Sequence, residues 1–154
     1  MSGLKIGPID ATAPGLVDLI AAHAAHSAAH YPAESNHNLD ATALAATGAR
    51  LFGGWLDDRL VAMGGYVPLA EGEGEVKSMH VREEARGTGA GRAILEAIVA
   101  AARAEGIRRL RLETGSRDGS AAARGLYRAA GFVETGPFGA YRPDPESVFM
   151  ARDL

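Results

Sequence analysis

The chain of 154 residues contains no cysteine. It therefore has no disulfide, no thiolate nucleophile and no cysteine-based metal site. It also lacks a long hydrophobic run: no stretch approaches the ~20 apolar residues that a membrane-spanning helix needs, and the first residues do not resemble a signal peptide. We therefore expect a cytoplasmic protein that does not enter a membrane.

An excess of positive charge is absent as well. The sequence has 16 lysine and arginine residues against 19 aspartate and glutamate residues, and its net charge is −3. This balance argues against nucleic acid as a partner. The hydrophobic content of 47% and the charged content of 23% are ordinary for a soluble globular protein, and the length suits a single domain over residues 1–154.

What the sequence does contain is a glycine-rich turn between an extended apolar segment and a strongly amphipathic helix. Glycine occupies alternate positions there, at Gly87, Gly89 and Gly91. Glycine lets the backbone approach a ligand closely because no Cβ intervenes. The following helix offers unpaired N–H groups and the positive end of its dipole, and Arg86 and Arg92 add fixed positive charge. This pattern predicts an anion site suited to a pyrophosphate.

The turn does not match the common nucleotide-binding loops. No Lys-Ser or Lys-Thr pair follows the glycines, so a Walker-type loop is excluded. The Gly-x-Gly-x-x-Gly fingerprint of dinucleotide-binding proteins also fails, because its third glycine is missing and the motif lies in the middle of the chain. The alternative that the residues leave open is a structural turn that binds no ligand.

The hydrophobic periodicity predicts strands before helices before strands, which is typical of a mixed α+β sheet with helices on its faces. Gly106 ends the helix that follows the glycine-rich turn, and Asp57-Asp58 is a hairpin signal. The predicted helices are residues 14–30, a short one that starts at Asp40, 89–105 and 120–130. The predicted strands are residues 4–9, which Pro8 restricts to a sheet edge, 50–55, 60–67, 75–81, 109–112, 132–135 and 148–151.

Two motifs carry a resemblance to a known family. The spacing Arg86-x-x-Gly89-x-Gly91 after a Met-x-Val strand resembles the coenzyme A loop of the GNAT acetyltransferase superfamily. Residues 123–132 (ARGLYRAAGF) look like the tyrosine-bearing helix and the glycine-phenylalanine turn of that superfamily. The order and spacing of the predicted elements match its fold over essentially the whole chain. The resemblance implies an α+β, GNAT-like fold, with a mixed, mostly antiparallel sheet flanked by helices.

Other segments are similar to a bacterial subgroup of small GNAT proteins, most of which are regarded as N-acetyltransferases. These segments are residues 75–79 (EVKSM), 112–115 (LETG) and 136–150. This closer similarity sharpens the expected fold more than the expected substrate.

The resemblance implies acetyl-CoA as the cosubstrate and gives roles to individual positions. Backbone groups of Met79 and Val81 would pair with the pantetheine arm as another strand would, and the amides after Arg86 would hold the pyrophosphate. Tyr127 would act catalytically by donating a proton to the leaving thiolate, since a phenol with a reference pKa of ~10 is protonated at pH 7. Otherwise Tyr127 is only a core residue. The full set of expected coenzyme-binding residues is Met79, His80, Val81, Arg86, Gly87, Thr88, Gly89, Ala90, Gly91 and Arg92.

The acceptor amine must be neutral to attack, so a nearby group must take its proton. The candidates are Glu113, Glu75 and His80, or else water or another group. Because side chains alternate along a strand, we expect Glu75, Lys77 and Met79 on one face and His80 on the other. Glu113 ends the neighbouring strand, where the sheet should open around the thioester. The two carboxylates are the preferred candidates.

In this superfamily the first helices and the last loop commonly wall the acceptor site. This implies substrate contacts from Tyr31, Glu34, Tyr141 and Arg142. Arg142 would suit a carboxylate on the acceptor, whereas Glu34 or Asp144 would suit an ammonium, so the class of amine stays open.

Three histidines, His23, His26 and His30, share one face of the first predicted helix. They would either line the cleft or lie on an ordinary surface. No fourth ligand or supporting carboxylate accompanies them, so no metal is expected.

The predicted activity is transfer of an acetyl group from acetyl-CoA to a primary amine of a small molecule, by direct attack in a ternary complex. No cysteine can carry an acyl intermediate, and no serine lies in a recognisable nucleophile motif. The alternatives are a non-catalytic acyl-CoA-binding or regulatory domain and an acetyltransferase of protein N-termini or lysines. Proteins of this fold are often dimers, so a homodimer is expected by analogy only.

Overall fold

A computed structural model describes residues 3–32, 43 and 46–154 of the chain. Its α-helices are α1 (Leu16–His30), α2 (Ala90–Ala104) and α3 (Ala121–Ala129), and short 3-10 helices lie at Glu83–Ala85 and Asp118–Ser120. Its strands are β1 (Lys5–Ile9), β2 (Arg50–Leu56), β3 (Arg59–Pro68), β4 (Glu73–Val81), β5 (Arg109–Gly115), β6 (Val133–Thr135) and β7 (Ser147–Asp153). The predicted helix start at Asp40 and the predicted substrate contact Glu34 lie outside the described residues.

Over the described ranges, seven strands form one sheet in the order β1-β2-β3-β4-β5-β7-β6. Neighbouring strands are antiparallel except β4 and β5, which are parallel. The predicted α+β fold with a mixed, mostly antiparallel sheet is therefore confirmed. Pro8 lies in the edge strand β1, where its missing N–H is tolerated. Asp57 and Asp58 both have positive φ, at 49° and 66°, as the tight turn between β2 and β3 requires.

Helix α2 anchors one face of the sheet. Its apolar period is the one predicted: Ile94, Leu95 and Ile98 are almost completely buried and pack in one cluster with Val76 and Leu110 of the sheet. Burying each such side chain contributes about 1.5–3 kcal/mol to folding. Because α2 follows the glycine-rich turn directly, this packing also fixes the position of the turn.

Helix α1 covers the opposite face. Leu16, Leu19 and Ile20 are buried against Leu60 and Met63 of β3. Its side chains His23 and His26 are turned toward His80 of β4. None of the helices in the part of the chain that the structure describes is long and apolar enough to cross a membrane.

The parallel strands β4 and β5 separate from one another, which creates a gap in the sheet. They pair only over Glu73–Glu75 and Arg109–Arg111. Beyond that point β4 stays paired with β3 as far as Val81, and β5 stays paired with β7 as far as Gly115. The candidate active site is built around this gap.

A β-bulge interrupts β4 beside the gap. The pairing register with β3 shifts by one residue between Met63 and Gly65, so Ser78 and Met79 share the single position opposite Gly64. Ser78 takes a φ of 60°, which costs a non-glycine residue about 1–2 kcal/mol. A Cβ atom on Gly64 would collide with the sulfur of Met79, so glycine is required opposite the bulge.

The bulge overturns one expectation from the sequence. Strict alternation places Met79 on the same face as Glu75 and Lys77, but the extra residue turns Met79 inward, where it packs with Val81 against the core beneath α2. His80 instead joins Glu75 and Lys77 on the face covered by α1. Only the pairing partner of β4 reveals this change, because nothing local in the sequence marks the bulge.

Candidate active site

A cavity of about 440 Å³ occupies the gap between β4 and β5. It extends from the glycine-rich turn at the start of α2, past the bulge, to α1 and the loop between β6 and β7. We call the wall formed by the turn and β4 the coenzyme side, and the wall formed by α1, β5 and that loop the acceptor side. The two sides belong to one continuous space.

The glycine-rich turn is shaped by backbone conformation. Gly87 and Gly89 have φ angles of 78° and 87°, and a Cβ on either would meet no atom within 4 Å. Glycine is therefore required for its left-handed backbone, and the space beside the turn is open. Gly91 has a different role, since a Cβ there would approach Leu126 at 3.2 Å and Val81 at 3.3 Å. The lack of a Cβ atom at Gly91 lets α2 pack closely on Leu126 and Val81.

The turn presents donors and positive charge to the cavity. Helix α2 begins after Gly89 with no side-chain cap, so its first N–H groups have no partner within the helix. Arg86 and Arg92 lie on the same wall. The hydroxyl of Thr88 donates to the carbonyl of Ala85 at 2.5 Å and holds the turn, but Thr88 is not part of the cavity wall. This donor set fits a pyrophosphate.

Strand β4 forms the wall beside the turn through Met79, His80 and Val81. Past Glu75 the edge of β4 that faces β5 has no strand partner among the described residues. Such an edge can pair with an extended ligand through backbone hydrogen bonds. The geometry therefore fits a pantetheine arm that lies along β4.

Tyr127 of α3 is both packed in the core and part of the cavity wall. The residue is 5% exposed, and its ring makes an edge contact with Phe132, with ring centroids 5.9 Å apart, yet Tyr127 also lines the cavity. Burial, and then the charge of Glu113, raise the pKa of the Tyr127 phenol well above its usual value. The phenol is therefore protonated throughout the physiological range and is available as a hydrogen-bond donor.

Glu75 lies at the base of the acceptor side, in a closed ring of polar contacts. It is 6% exposed. The Tyr141 hydroxyl donates to Glu75 Oε2 at 2.5 Å, Lys77 Nζ lies 3.2 Å from the same oxygen, and Lys77 Nζ also donates to the Tyr141 hydroxyl at 3.2 Å. Burial, and then the hydrogen bond to Glu75, raise the pKa of Tyr141. Tyr141 thus ties the loop before β7 to the strand that carries Glu75.

Glu113 lies on β5 across the gap from these groups. Its Oε2 accepts a hydrogen bond from the Ser147 hydroxyl at 2.7 Å. Its charge acts on the Tyr127 phenol. Glu75 and Glu113 are thus both engaged by donors from the protein, and Glu146, paired with Arg117, is a third carboxylate on this side.

His23 and His26 of α1 line the cavity and approach β4, whereas His30 is exposed and is not part of the wall. His23 Nδ1 lies 3.1 Å from His80 Nδ1, and the ring of His26 lies 6.4 Å from that of His80. His26 Nε2 donates to the carbonyl of Gly119 at 3.2 Å. Burial first, and then the charges of His23 and His26, lower the pKa of His80 to about 4. Within the described residues no group of three histidine or acidic side chains could hold a metal ion.

The end of α1 is tied to the rim of the acceptor side. The Tyr31 hydroxyl lies 2.7 Å from the Ser120 hydroxyl and accepts a hydrogen bond from the Arg117 amide at 2.9 Å. The Arg117 guanidinium donates to the carbonyl of His30 at 2.6 Å and forms an ion pair with Glu146. These contacts join α1, the segment after β5 and the loop before β7.

The structure brings most of the predicted site residues to the cavity. All expected coenzyme-binding residues except Thr88 line it, as do Tyr127, Glu113, Glu75, Tyr31 and Tyr141. Arg142 is exposed and is not part of the wall. The sequence interpretation missed the roles of Lys77, Ser120 and Glu146. Of these only Lys77 had a signal, because it lies two residues from Glu75 and so shares its strand face.

A strand that opens into a glycine-rich turn, beside a gap between parallel strands, is the arrangement of an acyltransferase. Such an enzyme takes its acyl group from acyl-CoA. The model of the acetyltransferase (GNAT) family matches residues 17–132, so the chain belongs to that family. It is an acetyl-CoA-dependent N-acetyltransferase.

Known relatives agree with this assignment. The chain is 46% identical to an IAA acetyltransferase from Azospirillum brasilense over 125 residues. These residues are 80% of this chain and 80% of that protein. It is 34% identical over 145 residues to the uncharacterized N-acetyltransferase YsnE of Bacillus subtilis (strain 168), with 94% of this chain and 96% of that protein covered. Its fold resembles that of a protein from Klebsiella pneumoniae proposed to be an acyl-CoA N-acyltransferase, with a TM-score of 0.80, 29% identity and coverage of 98% and 97%.

Proposed function

We propose that this protein transfers the acetyl group of acetyl-CoA to the primary amine of a small molecule, by direct attack in a ternary complex. The observation that carries the proposal is the continuity of the cavity: the coenzyme side and the acceptor side meet in the gap between β4 and β5. Two substrates held there would lie next to each other, and such placement accounts for much of the rate of a transfer reaction. No covalent enzyme intermediate is needed.

On the coenzyme side, the amides from Gly87 to Arg92 are proposed to hold the pyrophosphate, with Arg86 adding charge. Backbone groups of Met79 and Val81 are proposed to pair with the pantetheine arm along the open edge of β4. Acetyl-CoA supplies the activated acetyl thioester. The left-handed backbone of Gly87 and Gly89 and the open space beside it support this placement.

Tyr127 is the proposed donor to the leaving sulfur. Its phenol is protonated, and its ring is held by core packing beside Phe132. A hydrogen bond from this phenol would stabilise the thiolate as the carbon–sulfur bond breaks. Because its pKa is raised, the phenol keeps its proton in the resting enzyme and assists the leaving sulfur as a hydrogen-bond donor.

On the acceptor side, Glu75 and Glu113 are the proposed catalytic carboxylates. Their negative charges would attract an ammonium group to the gap. The amine must lose a proton before it attacks, and Glu75, Glu113 and His80 are the candidate proton acceptors. Tyr31 and Tyr141 supply the proposed contacts to the rest of the acceptor. The contacts of Arg117 with His30 and Glu146 tie the end of α1 to the loop before β7, and this supports an acceptor site for a small molecule.

The proposal is tested by incubating the protein with acetyl-CoA and a panel of primary amines, amino acids and lysine-containing peptides, with IAA included because a relative is named for it. Released CoA thiol and the mass of the acetylated product are measured together. Acetylation of at least one small amine is the expected result. Binding of acetyl-CoA without turnover on any acceptor would favour a non-catalytic acyl-CoA-binding domain, and a preference for peptides would favour a protein acetyltransferase.

A further inference from the structure

Lys77 lines the acceptor side of the cavity in a way that coenzyme binding does not explain. Its side chain is 18% exposed, whereas that of its ion-pair partner Glu75 is 7% exposed. Lysine side chains are usually exposed to solvent. From the cavity, the positive member of this pair is therefore the more accessible one, which suits it to bind a negative group of a ligand.

The ammonium of Lys77 is held in place by two neighbours. Lys77 Nζ lies 3.2 Å from Glu75 Oε2, donates to the Tyr141 hydroxyl at 3.2 Å, and lies 5.8 Å from the centre of the Tyr141 ring. An ammonium carries three hydrogens. Among the residues that the structure describes, these contacts use two of them, so the third remains for a ligand in the cavity. Because Nζ is already fixed, binding would cost little side-chain freedom.

The arginines near the acceptor side do not take this role. Arg142, which the sequence indicated for a carboxylate on the acceptor, is exposed and is not part of the cavity wall. Arg117 forms an ion pair with Glu146 and donates to the carbonyl of His30. Lys77 is therefore the cation best placed to meet a negative group of the acceptor.

We propose that Lys77 binds a carboxylate of the acceptor, so that the substrates of this protein are amino acids rather than amines without an acidic group. This inference rests on the proposed function and names the substrate class of its acceptor side. The carboxylate would lie at Lys77 on β4, and the ammonium would lie toward Glu113 on β5.

The charges on the two sides of the gap favour this orientation. An ammonium directed at Glu75 would come close to the ammonium of Lys77, which already lies beside Glu75 Oε2. Glu113 lies across the gap, and its charge acts on the Tyr127 phenol, the proposed donor to the leaving sulfur. An ammonium at Glu113 would therefore bring the amine near the reacting thioester.

The same contacts favour a carboxylate over a phosphate at Lys77. A carboxylate oxygen would gain a charge-assisted hydrogen bond from Nζ. Glu75 opposes a second negative group, but its Oε2 atom already accepts from the Tyr141 hydroxyl and pairs with Lys77. A phosphate dianion would be repelled more strongly by Glu75, and Lys77 supplies a single positive charge.

The first test measures binding and needs no turnover. The melting temperature of the unaltered chain is recorded with CoA and each common amino acid, and again with CoA and the matching amino acid carboxamide, which keeps the amine but lacks the negative charge. We expect at least one amino acid to raise the melting temperature, and its carboxamide to raise it much less at the same concentration. Equal shifts with both, or no shift with any amino acid, would overturn the proposal.

The second test is kinetic and compares the amino acid that gives the largest shift with its carboxamide. In the unaltered chain, kcat/KM should be about 10- to 100-fold higher for the acid, as expected for a hydrogen bond between charged groups. Lys77→Gln should remove this preference, mainly by raising KM for the acid, whereas Lys77→Arg should retain most of it. A merely structural role of Lys77 would lower kcat/KM for both acceptors alike, and that result would overturn the proposal.

The matched control is Lys5→Gln, because Lys5 is the only other lysine in the sequence and is exposed on the edge strand β1. Lys5→Gln and Arg142→Gln should both keep the preference for the acid. Loss of the preference in Arg142→Gln, with Lys77→Gln unaffected, would assign the carboxylate to Arg142 and contradict the role of Lys77. A failure of the unaltered chain to bind acetyl-CoA would instead overturn the proposed function.

Discussion

At the scale of single residues, the site depends on a few side chains whose protonation is controlled by burial. Tyr127 is kept protonated by its surroundings, whereas His80 is kept neutral by its own. Desolvation penalises the charged form in both cases, which raises the pKa of a phenol and lowers that of an imidazole. The same physical cause therefore keeps the phenol of Tyr127 protonated and the imidazole of His80 uncharged near neutral pH.

Replacement of the Tyr127 hydroxyl tests the donor role. Tyr127→Phe keeps the ring that packs on Phe132 and removes only the group that would donate to sulfur. We expect kcat to fall by about 100-fold with acetyl-CoA affinity unchanged, because proton donation assists the transition state rather than binding. Steady-state kinetics and calorimetry measure the two quantities. Equal turnover in the two proteins would show that Tyr127 is only a core residue.

Stability should depend on pH through His80. Its folded-state pKa is about 4 against a reference of 6.5, so the unfolded chain binds more protons between those values and the native state loses stability as pH falls through that window. The contribution is complete above about pH 6.5 and amounts to about 2 kcal/mol lost by pH 4.5. Urea unfolding at pH 7 and pH 4.5 should show a smaller drop for His80→Gln than for the unaltered chain. An identical drop in both would contradict the assigned pKa.

At the scale of elements, the glycine-rich turn and the start of α2 form the coenzyme side. Gly89→Ala and Gly125→Ala are a matched pair, because neither new Cβ meets an atom within 4 Å and only Gly89 has positive φ. Gly125 lies inside α3, so alanine there should stabilise the protein by about 0.5–1 kcal/mol. Gly89→Ala should destabilise it by about 1 kcal/mol and weaken acetyl-CoA binding. Chemical unfolding and calorimetry would detect both effects, and equal behaviour of the two variants would contradict a strained turn.

Local signals in the sequence predicted most of the elements. Periodicity and the flanking glycines placed α2 at residues 89–105, and the structure has it at Ala90–Ala104. The turn at Asp57-Asp58 and the edge position of Pro8 were likewise predicted correctly. In each case the cause is a backbone preference or a hydrophobic period that lies within a few residues.

Features that depend on distant partners were not accessible to that reasoning. The bulge at Ser78 exists because β4 pairs with β3, and it reversed the expected face of Met79. The bond between Tyr141 and Glu75 joins residues 66 positions apart, and the contact of His23 with His80 joins residues 57 apart. Sequence spacing does not predict contacts between residues so far apart. The sequence therefore identified the candidate site residues but not the side chains that they contact.

At the scale of the whole molecule, the separation of β4 and β5 opens one cavity that the coenzyme side and the acceptor side both line. Acetyl-CoA at about 100 times its Kd should stabilise the native state by about 2.7 kcal/mol, which raises the melting temperature by roughly 5–10 °C for a chain of this size. Acetyl-pantetheine, which lacks the pyrophosphate, should give a much smaller shift at the same concentration. Equal shifts would show that the glycine-rich turn contributes little to binding.

Calorimetric titration of the unaltered chain with acetyl-CoA, repeated with Gly89→Ala, tests the coenzyme site most directly. We predict one saturable site per chain, with weaker binding in the variant because its turn no longer presents the same amides to the pyrophosphate. No saturable heat at millimolar acetyl-CoA, or the same affinity in both proteins, would contradict the claim that the turn after Arg86 holds the coenzyme.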